Sequence, residues 1–220
     1  MIMLAVIAIL AGVFALLLIA EVLWQKKILQ GENQRKFTHI TVGTFAAFWP
    51  WIITWQQIQI IALTMSVVVL INRHLQVLHL RGIKKNQRET YGDVMLALAI
   101  LLVSLLTTNK VFFAMAILNM ALADGLAAVA GTNFGGRWKY KVFHQEKTVV
   151  GSMTFWFVSL CIFAVGLLFV HDVIPFEHYI ELLIFLPPLL TVVENVSGLG
   201  LDNIFVPLIV ILALNTAQLG

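Results

Sequence analysis

Charge is what this chain most lacks. Asp, Glu, Lys and Arg make up 11% of its 220 residues, 60% are hydrophobic, and mean hydropathy is +0.95. A soluble domain carries roughly 25% charged residues, so a soluble globular protein is excluded. The composition predicts an all-α, polytopic transmembrane helix bundle with no soluble domain. Cysteine is nearly absent as well. The lone Cys161 cannot form an internal disulfide or hold a metal by itself, and its apolar surroundings lead us to expect buried filler. No Pro/Ser-rich linker or low-complexity tail interrupts the chain, so residues 1–220 read as one integral membrane domain. The soluble nucleotide-binding signatures are missing too. Gly131 and Gly136 have the Walker glycine spacing, but Arg137-Trp138 follow where Lys-Ser/Thr would stand. No GxGxxG follows a strand, and there is no room for a parallel sheet.

What remains is dominated by long apolar runs. Hydropathy predicts about eight spans, near 2–24, 37–55, 57–72, 93–109, 110–130, 150–170, 178–194 and 203–219; seven, or a re-entrant segment, would also fit. No basic residue precedes the first run and no small-residue cleavage site follows it, so it is expected to be a retained span with its N-terminus outside rather than a signal peptide. Every Lys and Arg except Lys110 falls in the first, third and fifth loops, 25–36, 73–92 and 131–149. The positive-inside rule makes that side the cytoplasm, and the loop at 195–202 joins it. The net charge of +3 is therefore mostly orientation charge, and no nucleic-acid partner is expected.

Four polar clusters share that side. Arg35-Lys36-Phe37-Thr38-His39 enters the second span, with His39 four residues from Arg35 and three from Lys36, so that they share a helical face. Arg grips phosphate with paired hydrogen bonds and His moves protons near neutrality; ordinary interfacial anchoring would use the same residues. Arg88-Glu89-Thr90-Tyr91-Gly92-Asp93 enters the fourth span, where Asp93 also suits a helix N-terminus.

The third cluster is the richest. Asp124 lies in an Ala/Gly-rich apolar run, and an acid in hydrocarbon faces a bundle interior or a watery cavity. Small neighbours leave room for close helices or a ligand. Gly131, Gly135 and Gly136 would let amides converge on an oxyanion, Lys147 offers a point charge, and Thr148 or Ser152 can cap the next helix. Trp138, Tyr140 and Phe143 can stack on a base or anchor the loop at the interface. The fourth cluster, Glu194-Asn195-Val196-Ser197-Gly198-Leu199-Gly200-Leu201-Asp202-Asn203, brings hard oxygen ligands. Asp124 with Asp202 or Glu194 could form a Mg²⁺ site of the kind that also binds phosphate oxygens.

Together these motifs resemble the polyprenol kinase family, which includes dolichol kinases, phytol kinases and CTP-dependent diacylglycerol kinases. The likeness covers most of the chain from residue 33. Arg35, Lys36 and His39 match its early motif. Asp124, Gly125, Ala127, Gly131, Phe134, Gly135, Lys147, Thr148, Gly151 and Ser152 match its central motif, and Asp202, Asn203 and Pro207 its late one. The short chain and its Asp-Asn-Ile-Phe-Val-Pro-Leu segment look closest to phytol kinases. His144-Gln145-Glu146 depart from the pattern, where relatives often carry proline or further basic residues; Arg137, Lys139 or Lys141 would then supply that charge.

The resemblance implies a phosphotransferase in the cell membrane, of bacterial type, that moves the γ-phosphate of CTP (or UTP or ATP) to a lipid alcohol at the cytoplasmic face. It implies Mg²⁺ on Asp124, Asp202 and Glu194. Catalytic roles would fall to Asp124, Lys147 and His39, and phosphate or substrate contacts to Arg35, Lys36 and His39. Nucleotide contacts would fall to Gly125, Gly131, Gly135, Arg137, Lys139, Lys147, Thr148, Gly151 and Ser152. The central motif is also similar to that of membrane CDP-diacylglycerol synthases, which transfer a cytidylyl group instead. A phospholipid transporter or flippase is the third possibility. It is disfavoured because no internal repeat is visible, Pro187-Pro188 have no counterpart in the first half, and the functional charges gather at one face.

Overall fold

In the computed structural model the described residues are 2–30, 32–75, 92–143, 145–198 and 200–219. They form eight helices and one β-hairpin: α1 (Ile2–Gln25), α2 (Glu32–Ala47), α3 (Trp55–Leu75), α4 (Gly92–Leu106), α5 (Lys110–Phe134), β1 (Lys139–Val142), β2 (Gln145–Thr148), α6 (Val149–Val170), α7 (Phe176–Val196) and α8 (Asp202–Leu219). The all-α membrane bundle expected from composition is what forms. Arg88-Glu89-Thr90-Tyr91, the basic residues Arg81, Lys84 and Lys85, and His144 lie outside the described residues.

Among the described residues, six helices are long and apolar enough to cross a membrane: α1, α3, α5, α6, α7 and α8. The other two are shorter. α4 is apolar over 15 residues. α2 has 16 residues and ends at Ala47, well before the expected limit near 55. At 1.5 Å per residue α2 spans about 24 Å, short of a hydrocarbon core of roughly 30 Å. Its Gln34, Lys36 and His39 are buried in protein rather than set against lipid. Phe48 and Pro50 then break the chain into a short 3-10 turn, Trp49–Trp51, before α3.

α5 is the hub. Its most apolar window is 72% buried, against 17% for α1. Asn109 caps it, accepting from the amides of Val111 at 2.9 Å and Phe112 at 3.2 Å. Midway the helix loosens into a π segment, Asn119–Ala123, directly before Asp124. Wide turns of this kind re-aim the residues that follow and recur at functional sites. α2, α6 and α8 all pack on this segment.

Lipid is as apolar as leucine, so helix association here relies on close packing and internal polar contacts rather than on expulsion of water. Trp49, Phe112, Phe113, Phe155, Phe163 and Tyr179 fill the interior. Cys161, expected among the buried residues, is instead exposed on the outer side of α6. The Tyr179 hydroxyl is satisfied by the carbonyl of Phe163. Small residues set the spacing: Gly43 of α2 lies directly on Ala121 of α5.

The hairpin was not foreseen in the polar stretch between α5 and α6. β1 and β2 pair antiparallel, with Tyr140 opposite Lys147 and Val142 opposite Gln145. Phe143, beside the turn, is exposed with φ of 52°. That region is uncommon for a residue other than Gly or Asn. Helices alternate in direction, so the start of α2, the end of α5, the hairpin, the end of α7 and the start of α8 gather at one end of the bundle.

Candidate active site

That end holds the polar groups. Asp124 follows the π segment and is 5% exposed. Glu194 lies near the end of α7 and is 6% exposed. Asp202 opens α8, with one carboxylate oxygen accepting from the amide of Asn203 at 3.0 Å. The three carboxylates offer oxygens that all lie within 4.8 Å of one another. At that separation, with an effective dielectric of about 20, each like-charged pair costs on the order of 3 kcal/mol. Such a cluster needs compensating cations.

Two lysines supply part of the compensation. Lys36, from α2, donates to Asp124 Oδ2 at 2.6 Å, and both side chains are about nine-tenths buried. Lys147, from β2, pairs with the Glu194 carboxylate and donates to the Glu194 backbone carbonyl at 3.1 Å. Lys36 and Lys147 thus pair with two of the three carboxylates, Asp124 and Glu194. Hard, crowded carboxylate oxygens are the donor set that Mg²⁺ favours. The residues present therefore fit a divalent cation. His39 Nε2 sits 3.3 Å from the carbonyl of Met120 in the π segment and 3.9 Å from Asp124 Oδ2.

The other expected site residues are placed as follows. Arg35 lies against Gly92 at the start of α4, where a Cβ would come within 2.9 Å of its Nη1. Asn203 Nδ2 reaches the Gly92 carbonyl at 3.4 Å. Asp93 is exposed in the first turn of α4. Thr148 is the N-cap of α6, accepting from the Gly151 amide at 3.0 Å.

Gly131, Gly135 and Gly151 meet around that cap. A Cβ on Gly131 would lie 2.7 Å from Thr148 Oγ1 and 3.5 Å from Gly151 Cα. The Gly135 amide closes the end of α5 on the Gly131 carbonyl at 3.0 Å. These three glycines thus let α5 and α6 touch. Gly125 likewise lets Ile40 of α2 settle on α5. Arg137 and Lys139 are exposed beside and on the hairpin, and Lys139 faces Glu146 at 3.6 Å. Among the described residues no contact joins either one to the carboxylates.

One contact escaped the sequence argument, which read Tyr140 as stacking on a base or anchoring the loop and Asn195 as one of a polar cluster. Tyr140 of β1 and Asn195 of α7 meet, with the Tyr140 hydroxyl donating to Asn195 Oδ1 at 2.6 Å and lying 2.5 Å from Ser152 Oγ. The alternation of Lys139-Tyr140-Lys141-Val142 was the available signal for a strand, but four residues are few to read. Lys36 was expected at phosphate; its partner Asp124 stands 88 residues away, beyond any local pattern. Beside the hairpin, Trp138, Val149, Val150, Met153, Thr154 and Phe157 line an apolar groove of about 630 Å³.

With this geometry in hand, comparison with known proteins is decisive. A phytol kinase of Synechocystis sp. is 30% identical over 200 aligned residues, covering 88% of this chain and 83% of that protein. The chain belongs to the polyprenol kinase family. No family model matches it. No solved structure matches it either.

Proposed function

We propose that this protein is a lipid-alcohol kinase, transferring the γ-phosphate of CTP to the hydroxyl of a phytol-type or other polyprenol-type alcohol at the cytoplasmic face of the membrane. Family membership supports the activity class. The observation that carries the assignment of the site is the convergence of Asp124, Glu194 and Asp202 from three helices, with Lys36 and Lys147 against them.

In this reading Asp124, Glu194 and Asp202 hold Mg²⁺, which when bound supplies charge neutralisation for the nucleotide phosphates. Lys36 orients the Asp124 carboxylate and anchors α2 to α5. Lys147, on its short strand, turns from Glu194 toward the phosphates and offsets the charge that builds on the departing CDP. The alcohol oxygen forms a bond to the γ-phosphorus as the bond from that phosphorus to the β-phosphate oxygen breaks. The hydroxyl proton passes to His39, whose Nε2 faces Asp124, or to one of the acids. Positioning and electrostatics supply most of the acceleration in such reactions. The hydrocarbon tail stays in the bilayer, and the apolar groove beside α6 suits it.

The test uses purified protein, Mg²⁺ and phytol- or polyprenol-containing vesicles, with CTP labelled at the α- or the γ-phosphate. Transfer of γ-label alone, with CDP released, is the expected result. Transfer of α-label would make the protein a cytidylyltransferase. No transfer from CTP, UTP or ATP would remove the kinase assignment and return weight to lipid transport.

A further inference from the structure

The hairpin is fastened to the bundle by a chain of hydrogen bonds that the proposed reaction does not itself use. Asn195 Nδ2 donates to the Thr191 carbonyl at 2.8 Å, which fixes the amide so that Oδ1 faces the hairpin. That oxygen accepts from the Tyr140 hydroxyl at 2.6 Å. Ser152 Oγ completes a triangle, 2.5 Å from the Tyr140 hydroxyl and 3.0 Å from Asn195 Oδ1. The two hydroxyl protons, one from Tyr140 and one from Ser152, serve the three contacts of this triangle. Linked donors and acceptors of this kind strengthen one another in a low-dielectric setting.

The triangle sits next to Lys147 in two ways. Tyr140 and Lys147 are directly opposite in the ladder, and directly opposed residues project from the same face of a sheet. Their partners, Asn195 and Glu194, are successive residues of α7. Gln145, the first residue of β2, also reaches the turn after α7, where a Cβ on Gly198 would meet its Nε2 at 3.1 Å. A two-stranded hairpin is at best marginally stable alone, so its position, and that of Lys147, depends on such attachments.

We infer that Tyr140 is a positioning residue: by bonding Asn195 and Ser152 it clamps the hairpin across α6 and α7 and so presents Lys147 to the carboxylate cluster. The inference deepens the kinase proposal, because it gives Tyr140 its effect on phosphoryl transfer through Lys147. Tyr140→Phe is the informative change, since it keeps the ring and leaves Ser152 within bonding distance of Asn195.

The experiment measures amine acylation of the full-length protein in detergent, residue by residue by mass spectrometry, alongside γ-phosphate transfer. In Tyr140→Phe, Lys147 should label about fivefold faster, the equilibrium worth of one net hydrogen bond, and kcat/KM for nucleotide should fall by about the same factor. Buried Lys36 and exposed Lys139 should label at unchanged rates. Asn195→Ala should reproduce the effect, and the double variant should add nothing to it. Unchanged Lys147 labelling in Tyr140→Phe overturns the inference. So does a parallel rise at Lys36, which would mean that the whole bundle had opened. Faster Lys147 labelling in a protein whose wild type transfers no phosphate would sustain the clamp and overturn only the kinase assignment.

Discussion

Gly125 is the residue at which packing and ligand contact make opposite predictions. It follows Asp124 in α5, and a Cβ there would run into Ile40 Cγ1 and lie 2.7 Å from Ile40 Cδ1, while Ile40 Cβ stays at an ordinary 3.5 Å. Alanine in a helix is normally favoured over glycine by about 1 kcal/mol. Overpacking of this kind costs about 1–3 kcal/mol. Gly125→Ala should therefore lose up to about 2 kcal/mol net and push α2, with Lys36 and His39, off Asp124. Ile40→Ala removes both clashing atoms. In that background the same glycine-to-alanine change should become stabilising by about 1 kcal/mol, a reversal of sign. Thermal midpoints in detergent of the four proteins of the cycle, with transfer activity on each, provide the assay. Equal destabilisation in both backgrounds would refute the packing argument. Stability restored with activity still lost would mean that Gly125 itself meets the nucleotide.

Three further outcomes follow from the same geometry. Asp124→Asn should abolish turnover yet leave a folded protein, because the amide oxygen can still accept from Lys36 and the repulsion among the three carboxylates falls; full activity with a normal thermal midpoint would remove the acid's role. Lys147→Ala should raise the barrier to transfer by at least about 2–3 kcal/mol, comparable to losing one preorganised electrostatic contact; steady-state kinetics with γ-labelled CTP reads this directly, and a loss of under tenfold in kcat/KM would contradict it. Asn109→Ala removes the cap of α5 at the opposite end of that helix and should cost about 1 kcal/mol of stability. Its kcat should stay at the wild-type value, so a fall in kcat with an unchanged midpoint would contradict a purely capping role.

How much of this was legible beforehand depended on whether the cause was local. The apolar run at 150–170 became Val149–Val170, and that at 110–130 became Lys110–Phe134, because hydropathy and capping act over adjacent residues. Asp124, Glu194 and Asp202 stood out as acids in or beside hydrocarbon, and the fold brings them together. α2 was misjudged because Trp49 and Pro50 extend an apolar stretch that the backbone leaves at Ala47. The hairpin was missed because its strands have only four residues each and their alternation is mostly charged. Lys36–Asp124 and Tyr140–Asn195 join residues 88 and 55 apart, and only the packed bundle defines such pairs. The glycines were visible, but whether each meets a neighbouring helix or a ligand depends on what lies across from it. For Gly131 and Gly151 that is a helix contact around Thr148.

The central claim is that three converging carboxylates, two of them buried, form a divalent-cation site with two lysines beside it, and metal binding tests it most directly. Purified protein titrated with Mn²⁺ as a spectroscopic substitute for Mg²⁺, and followed by electron paramagnetic resonance, should show one saturable site. Mg²⁺ should displace the Mn²⁺, and Asp124→Asn, Glu194→Gln and Asp202→Asn should each weaken binding by about tenfold or more, the loss of one charged ligand. Wild-type protein that takes up no Mn²⁺, with or without CTP, or binding that survives all three substitutions unchanged, would contradict the account.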